Sequence, residues 1–274
     1  MNVSLLWVLL CWLSCLTPLQ AQSLQQPLQL EPRLQALGQS VEVDWQAGVL
    51  RARGAGRLEP AASMAQAELL AMGSARNDAL RLLALAAATL PAGRGQLRDY
   101  FHDEDFQALL LQGALLSEER QQGRLADGSE VIYVEAQLPL ATLAARLLPF
   151  VQQAHDFVGQ SGCADASFAP QGYTGLIVDA RDSGLTPSLW LSLHDSSGQL
   201  LSQALFQARA STSAQTLVYH ASLEAAHNDR AQVGTQPLVL QGRRGSGNQL
   251  ILNDSTLYEA SWWHTLTLVV VVEP

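Results

Sequence analysis

The sequence predicts an α+β protein made of two helix-backed sheet modules, and three observations carry that prediction. Short apolar runs bounded by Gly, Pro, Asn and Asp recur along the chain, as strands and their turns do. One long Ala- and Leu-rich segment, residues 61–90, sets its apolar side chains at helical spacing. A stretch rich in Ser, Gly and Pro, residues 159–172, divides two halves that each hold strands and a helix. With 274 residues, 48% hydrophobic and 15% charged, the chain has a globular composition and the length for one large or two small cores. The expected division is an export segment at 1–21, a tether at 22–40, a first module at 41–140, a bridging helix and linker at 141–172, and a second module at 173–274.

Residues 1–21 hold an apolar run at 5–13, too short to span a bilayer, followed by Pro18 and the small residue Ala21. That pattern predicts export with cleavage after Ala21, although no Lys or Arg precedes the run. Lipid attachment at Cys15 is the alternative, because Ser14 is the small residue such a site wants, while Trp12 stands where Leu is usual. Gln, Leu and Pro dominate 23–39, which reads as a loosely packed lead-in.

Val41 to Trp45 alternates apolar and polar, Ala47-Gly48 supplies a turn, and residues 49–53 return, so a hairpin is expected. Pro60 precedes the long helix of 61–90, which Pro91 and Gly93 end. Residues 106–120 and 129–138 read as antiparallel strands joined at Ala126-Asp127-Gly128, and the sum is a ββαββ-like first module. Helical spacing returns at Leu143, Leu147, Phe150 and Val151, with Pro149 expected to kink or split that helix. The second module opens on two strands, 176–178 and 189–193, the second closed by the turn Asp195-Ser196-Ser197-Gly198. Residues 214–228 read as a helix, 238–240 and 249–252 as strands, 255–264 as a short helix, and 266–272 as a strand in the middle of a sheet.

All sixteen Lys-plus-Arg positions are Arg, which removes Schiff-base and phosphate-loop lysines together. A net charge of −9 argues against a nucleic-acid surface. Of three cysteines, Cys11 and Cys15 lie in the export segment, and Cys163 alone supports neither an intrachain disulfide nor a Cys-rich zinc site. No nucleophile elbow, zincin helix or dinucleotide fingerprint occurs, so the chain is expected to be no enzyme and to hold no cofactor.

The polar candidates are few. Asp179 and Arg181 stand at the end of an apolar strand, where α/β folds place binding groups. They read either as a clamp for a carboxylate or amide, or as an ion pair that fixes a turn, and the second reading is favoured. A pocket shared by Asp179, Arg181 and His194 would make the chain a small-ligand binder or enzyme. Trp262 and Trp263 form a candidate interface patch. His102 beside Asp103-Glu104-Asp105, and His227 near Asp229, are weak cation candidates. Gly242 to Gly247 (GRRGSG) imitates an anion loop but reads as a hairpin turn.

Several segments together resemble the LPP20-type envelope proteins and the related flagellar assembly protein T of the basal-body H ring. They are VDWQAGVLRARGAG at 43–56, ARNDALRLLA at 75–84, GALLSEERQQGRLADGSEVIYVEAQLPL at 113–140, YTGLIVDAR at 173–181, and the VGTQPLVL and LTLVVVV ends. Where relatives carry PAMSPxIYD, this chain has Leu185-Thr186-Pro187-Ser188-Leu189-Trp190. The resemblance implies a small α+β first module and a second module like the α/β amino-terminal domain of TolB. Together with the export segment and the missing catalytic sets, it implies a periplasmic, non-enzymatic role with envelope or flagellar basal-body proteins as partners; outer-membrane association and an oligomer are both compatible with it.

Overall fold

The computed structural model describes residues 24–29, 32–60, 63–101, 108, 113–156, 172–207, 215–252 and 266–273. The export segment, with Cys15, lies outside them, as does the helix expected at 255–264. No helix among the described residues is long and apolar enough to cross a membrane.

The lead-in is built into the fold. Gln25–Pro27 forms β1, followed by a short helix, α1 (Pro32–Ala36), and by β2 (Ser40–Asp44), with which β1 pairs antiparallel. Leu24 is fully buried and its carbonyl accepts the Trp45 amide, while the Leu28 amide donates to Val41. Apolar residues spaced among the glutamines anchor a segment whose composition suggested a tether.

Gly48, at φ 70°, turns β2 into β3 (Val49–Arg57), the expected hairpin. The 26-residue helix α2 (Met64–Thr89) then starts at Ser63, whose Oγ accepts the Gln66 amide at 3.2 Å. Its buried stripe is mostly alanine: Ala67, Ala71, Ala75 and Ala79. The facing strand answers with glycine, since a Cβ on Gly54 would lie 2.2 Å from the Ala75 carbonyl oxygen, and one on Gly56 1.9 Å from that of Ala71. Helix and strand therefore touch backbone to backbone. Asp78 reaches from the helix to the sheet: β2 ends opposite Arg53, and Asp78 accepts the Ala55 amide that β2 leaves without a partner, together with the Gln39 amide group.

A two-residue pair, β4 (Pro91–Ala92) with β5 (Gly95–Gln96), and a 3₁₀ turn at Leu97–Tyr100 follow. The strands β6 (Leu115–Arg124) and β7 (Glu130–Pro139) pair antiparallel around Gly128, at φ 84°. β6 starts later than expected, and most of 102–112 lies outside the described residues. The sheet order is β1-β2-β3-β7-β6, with α2 across one face. Next, α3 (Leu140–Asp156) runs through Pro149 without a break. Both Pro149 and Ala145, whose carbonyl loses its helical donor, are exposed, so water can replace that bond.

The second half does more than form a helix-backed layer: its sheet closes. The strands are β8 (Gly175–Asp179), β9 (Trp190–His194), β10 (Leu200–Phe206), β11 (Gln215–His220), β12 (Pro237–Arg244), β13 (Gln249–Leu252) and β14 (Leu268–Val271). Two short helices, α4 (Leu223–Asn228) and α5 (Arg230–Val233), lie between β11 and β12. The barrel order is β10-β11-β14-β8-β12-β13-β9, closing on β10. The fold is thus mixed α+β with several sheets, as the sequence predicts, but the second module is a seven-stranded barrel.

The helix expected at 214–228 is corrected here. Residues 215–220 are a strand, with a helix only at Leu223–Asn228. Leu217 and Tyr219 join the main core while Val218 packs outward with Ile177, Val269, Ala226 and Val233; burial on both faces overrides the helical spacing. Strands β8 and β9 are not neighbours, since β8 lies between β14 and β12. The apolar run at the carboxyl end is central, parallel to both β11 and β8.

The two halves share a single core. Trp45, 1% exposed, meets Phe206 and Tyr219 edge-on at 5.6 and 5.8 Å between ring centres. The Gly93 amide donates to the Trp190 carbonyl, and the Leu189 amide to that of Pro91.

Candidate functional site

Asp179 ends β8, and the chain turns through a 3₁₀ turn at Arg181–Ser183 to Gly184, which takes the left-handed conformation at φ 65°. Arg181 grips the carboxylate with both prongs, Nε to Oδ1 at 2.9 Å and Nη2 to Oδ2 at 2.8 Å, and its own amide adds 3.3 Å to Oδ1. Gln241 of β12 reaches Oδ2 at 3.5 Å, and Arg244 donates to the Gly184 carbonyl at 3.0 Å. The Arg181 hydrogen bonds hold the Asp179 carboxyl below the usual carboxylate range, and the same pairing raises the guanidinium. The carboxylate is 9% exposed and fully engaged, so this corner ties the turn after β8 to β12.

His194 does not join it. Two strands, β12 and β13, separate β8 from β9 on that side of the barrel, so the sheet path crosses three spacings, roughly 14 Å. Its ring bonds locally, to the Gly198 carbonyl at 3.1 Å and Ser192 Oγ at 3.2 Å. The three residues thus share no pocket.

Asp229, paired in the sequence reading with His227, is instead 3.0 Å from Nε2 of the buried His220. Among the described residues no three His, Cys, Asp or Glu side chains come together as a metal site. The GRRGSG segment is the hairpin turn between β12 and β13, closed by the Gly245 amide on the Gln249 carbonyl at 2.8 Å. Trp262, Trp263, Cys15 and His102 lie outside the described residues.

The barrel interior also carries a polar contact absent from the sequence reading. Tyr219 Oη accepts the Ser188 amide at 3.0 Å and donates to the Ser188 carbonyl at 3.1 Å. Burial pushes its phenol up to about 12. Ser188 belongs to the LTPSLW segment that departs from the resembled family, and it anchors the chain leading into β9.

An open surface lies on the first half. The face of the sheet away from α2 holds a groove of about 190 Å³, lined by Arg53, Ser117, Gln121, Tyr133, Glu135 and Gln137. Beside it β6 runs ten residues and pairs, among the described residues, with β7 alone. Leu115 and Leu116 at its start are 63% and 40% exposed. The β3–β7 register puts Arg53, Tyr133, Glu135 and Gln137 on one face.

A family model described as Treponema pallidum Tp0624, second domain, matches residues 175–257. That span holds β8 to β13, six of the seven barrel strands, so the likeness concerns the barrel and leaves the first sheet aside. No curated protein matches the chain.

Proposed function

We propose that the chain is an exported, non-enzymatic protein of the bacterial periplasm, related to the LPP20-type proteins and flagellar assembly protein T, that binds other envelope or basal-body proteins. On this reading the strand-strand-helix-strand-strand order of β2, β3, α2, β6 and β7 is the family's first module. The barrel is its counterpart of the TolB amino-terminal domain, closed by extra strand pairing.

The observation that carries the proposal is the β6 edge. A ten-residue strand with one free side among the described residues presents backbone donors and acceptors to an extended segment of a partner, and exposed Leu115 and Leu116 add apolar contact. Successive residues of a strand alternate in which way their amides point, so one of Gln121 and Gln122 aims its N–H away from β7. Gln121→Pro and Gln122→Pro, made separately, therefore form the test. Capture of a defined envelope protein that survives both changes, in variants with unchanged melting, would contradict strand addition. Loss in the outward-pointing variant alone is the expected result.

A further inference from the structure

The outer face of the first sheet holds two opposite charges that face each other without pairing. Arg53 on β3 and Glu135 on β7 are register partners, so both side chains leave the same face from directly opposed positions. Among the described residues neither forms an ion pair. Arg53 instead lays its guanidinium 3.9 Å from the centre of the Tyr133 ring, and its buried Nε has no hydrogen-bond partner. Glu135 accepts the Gln137 amide group at 2.7 Å.

The groove around these groups has a cause in the register. Leu116 pairs with Ala136 and Arg120 with Val134, so residues 117–119 of β6 stand against Glu135 alone. This bulge bends β6 and opens the sheet face. The ring beneath Arg53 is fixed, because Tyr133 is wedged where a Cβ on Gly38 would sit 2.5 Å from its Oη and one on Gly123 2.7 Å from its edge.

We propose that this groove binds a small zwitterion of the α-amino-acid type. Its carboxylate pairs with Arg53, which the Tyr133 ring backs, and its ammonium with Glu135; the amides of Gln121 and Gln137 line the rim. A simple anion meets repulsion from Glu135 and a simple cation meets it from Arg53, so a ligand carrying both charges is favoured over either. The groove's volume of about 190 Å³ gives room for a molecule of this size. The inference is independent of strand addition at β6.

The test is an NMR titration of the full chain with glycine, acetate, methylammonium and N-acetylglycine, read at the Arg53 Nε–H and the Tyr133 ring. Glycine is expected to move both signals with an affinity roughly tenfold or more above the other three. Arg53→Gln should abolish the response. Glu135→Gln should bring glycine down to the level of acetate, and it carries the test alone if Arg53→Gln does not fold. Signals that stay still with glycine, that respond equally to acetate, or that respond equally in Glu135→Gln would overturn the proposal.

Discussion

The first sheet and the barrel solve the same problem in opposite ways. Each must cover an apolar surface and satisfy strand edges, but the barrel closes on itself and leaves no edge, whereas the sheet lays one helix on one face. The barrel's polar groups are accordingly turned on one another: Asp179 on Arg181, His220 on Asp229, Tyr219 on Ser188. The sheet keeps a polar face with Arg53 and Glu135 unpaired and a long edge at β6. The two halves are joined by one core, and on the proposed reading stability falls to the barrel and recognition to the sheet.

The strongest way to break this division is at the joint. Trp45→Ala removes the ring that packs edge-on against both Phe206 and Tyr219 and should destabilise the protein by about 3–5 kcal/mol. Denaturant unfolding followed by separate probes in each half would then show two transitions in place of one.

Gly54→Ala acts on the first half alone. The added methyl meets the Ala75 carbonyl oxygen and the Ala79 amide nitrogen, neither of which is a flexible side chain, so α2 must lift off β3 at a cost of about 3 kcal/mol. Unfolding midpoints measure it, with α2 expected to exchange its amides before the barrel does.

Tyr219→Phe tests the barrel interior. It leaves the Ser188 amide and carbonyl buried without partners, a loss of about 1–3 kcal/mol. Because the folded phenol is raised from 10.0 to about 12, the wild type should be fully stable from this group below pH 10 and lose that contribution between 10 and 12. The Phe variant should lack that alkaline decline.

Asp179→Asn should give the smallest change, about 1 kcal/mol near neutrality. Its folded pKa is lowered, so the contribution is present above the ordinary carboxylate value of 3.8 and disappears as pH falls through the folded value. Melting curves of variant and wild type should therefore converge in acid. A large loss of partner capture with unchanged melting would instead make the corner a binding site.

Much of the first sheet was legible because its signals are local. The hairpin at Gly48, the helix between Ser63 and Pro91, and the Asp127-Gly128 turn each follow from a few adjacent residues. Closure of the barrel was not legible, since it depends on β9 pairing with β13 across a long stretch of chain, which no spacing encodes. The strand at Gln215–His220 was hidden because a strand buried on both faces loses its alternation. Asp179 and Arg181 did come together as the two-residue spacing allows, whereas His194 did not reach them, because neighbouring runs in sequence are separated strands in space. The groove was not legible for a related reason: Arg53 and Glu135 are 82 residues apart and meet only through the β3–β7 register.

The claim that recognition lies on the open sheet and not on the barrel corner can be tested directly by in vivo photo-crosslinking. A photoreactive residue is placed at Leu115 in one variant and at Arg181 in another. The account predicts protein adducts from position 115 and none from position 181. Adducts from 181 with none from 115 would contradict it.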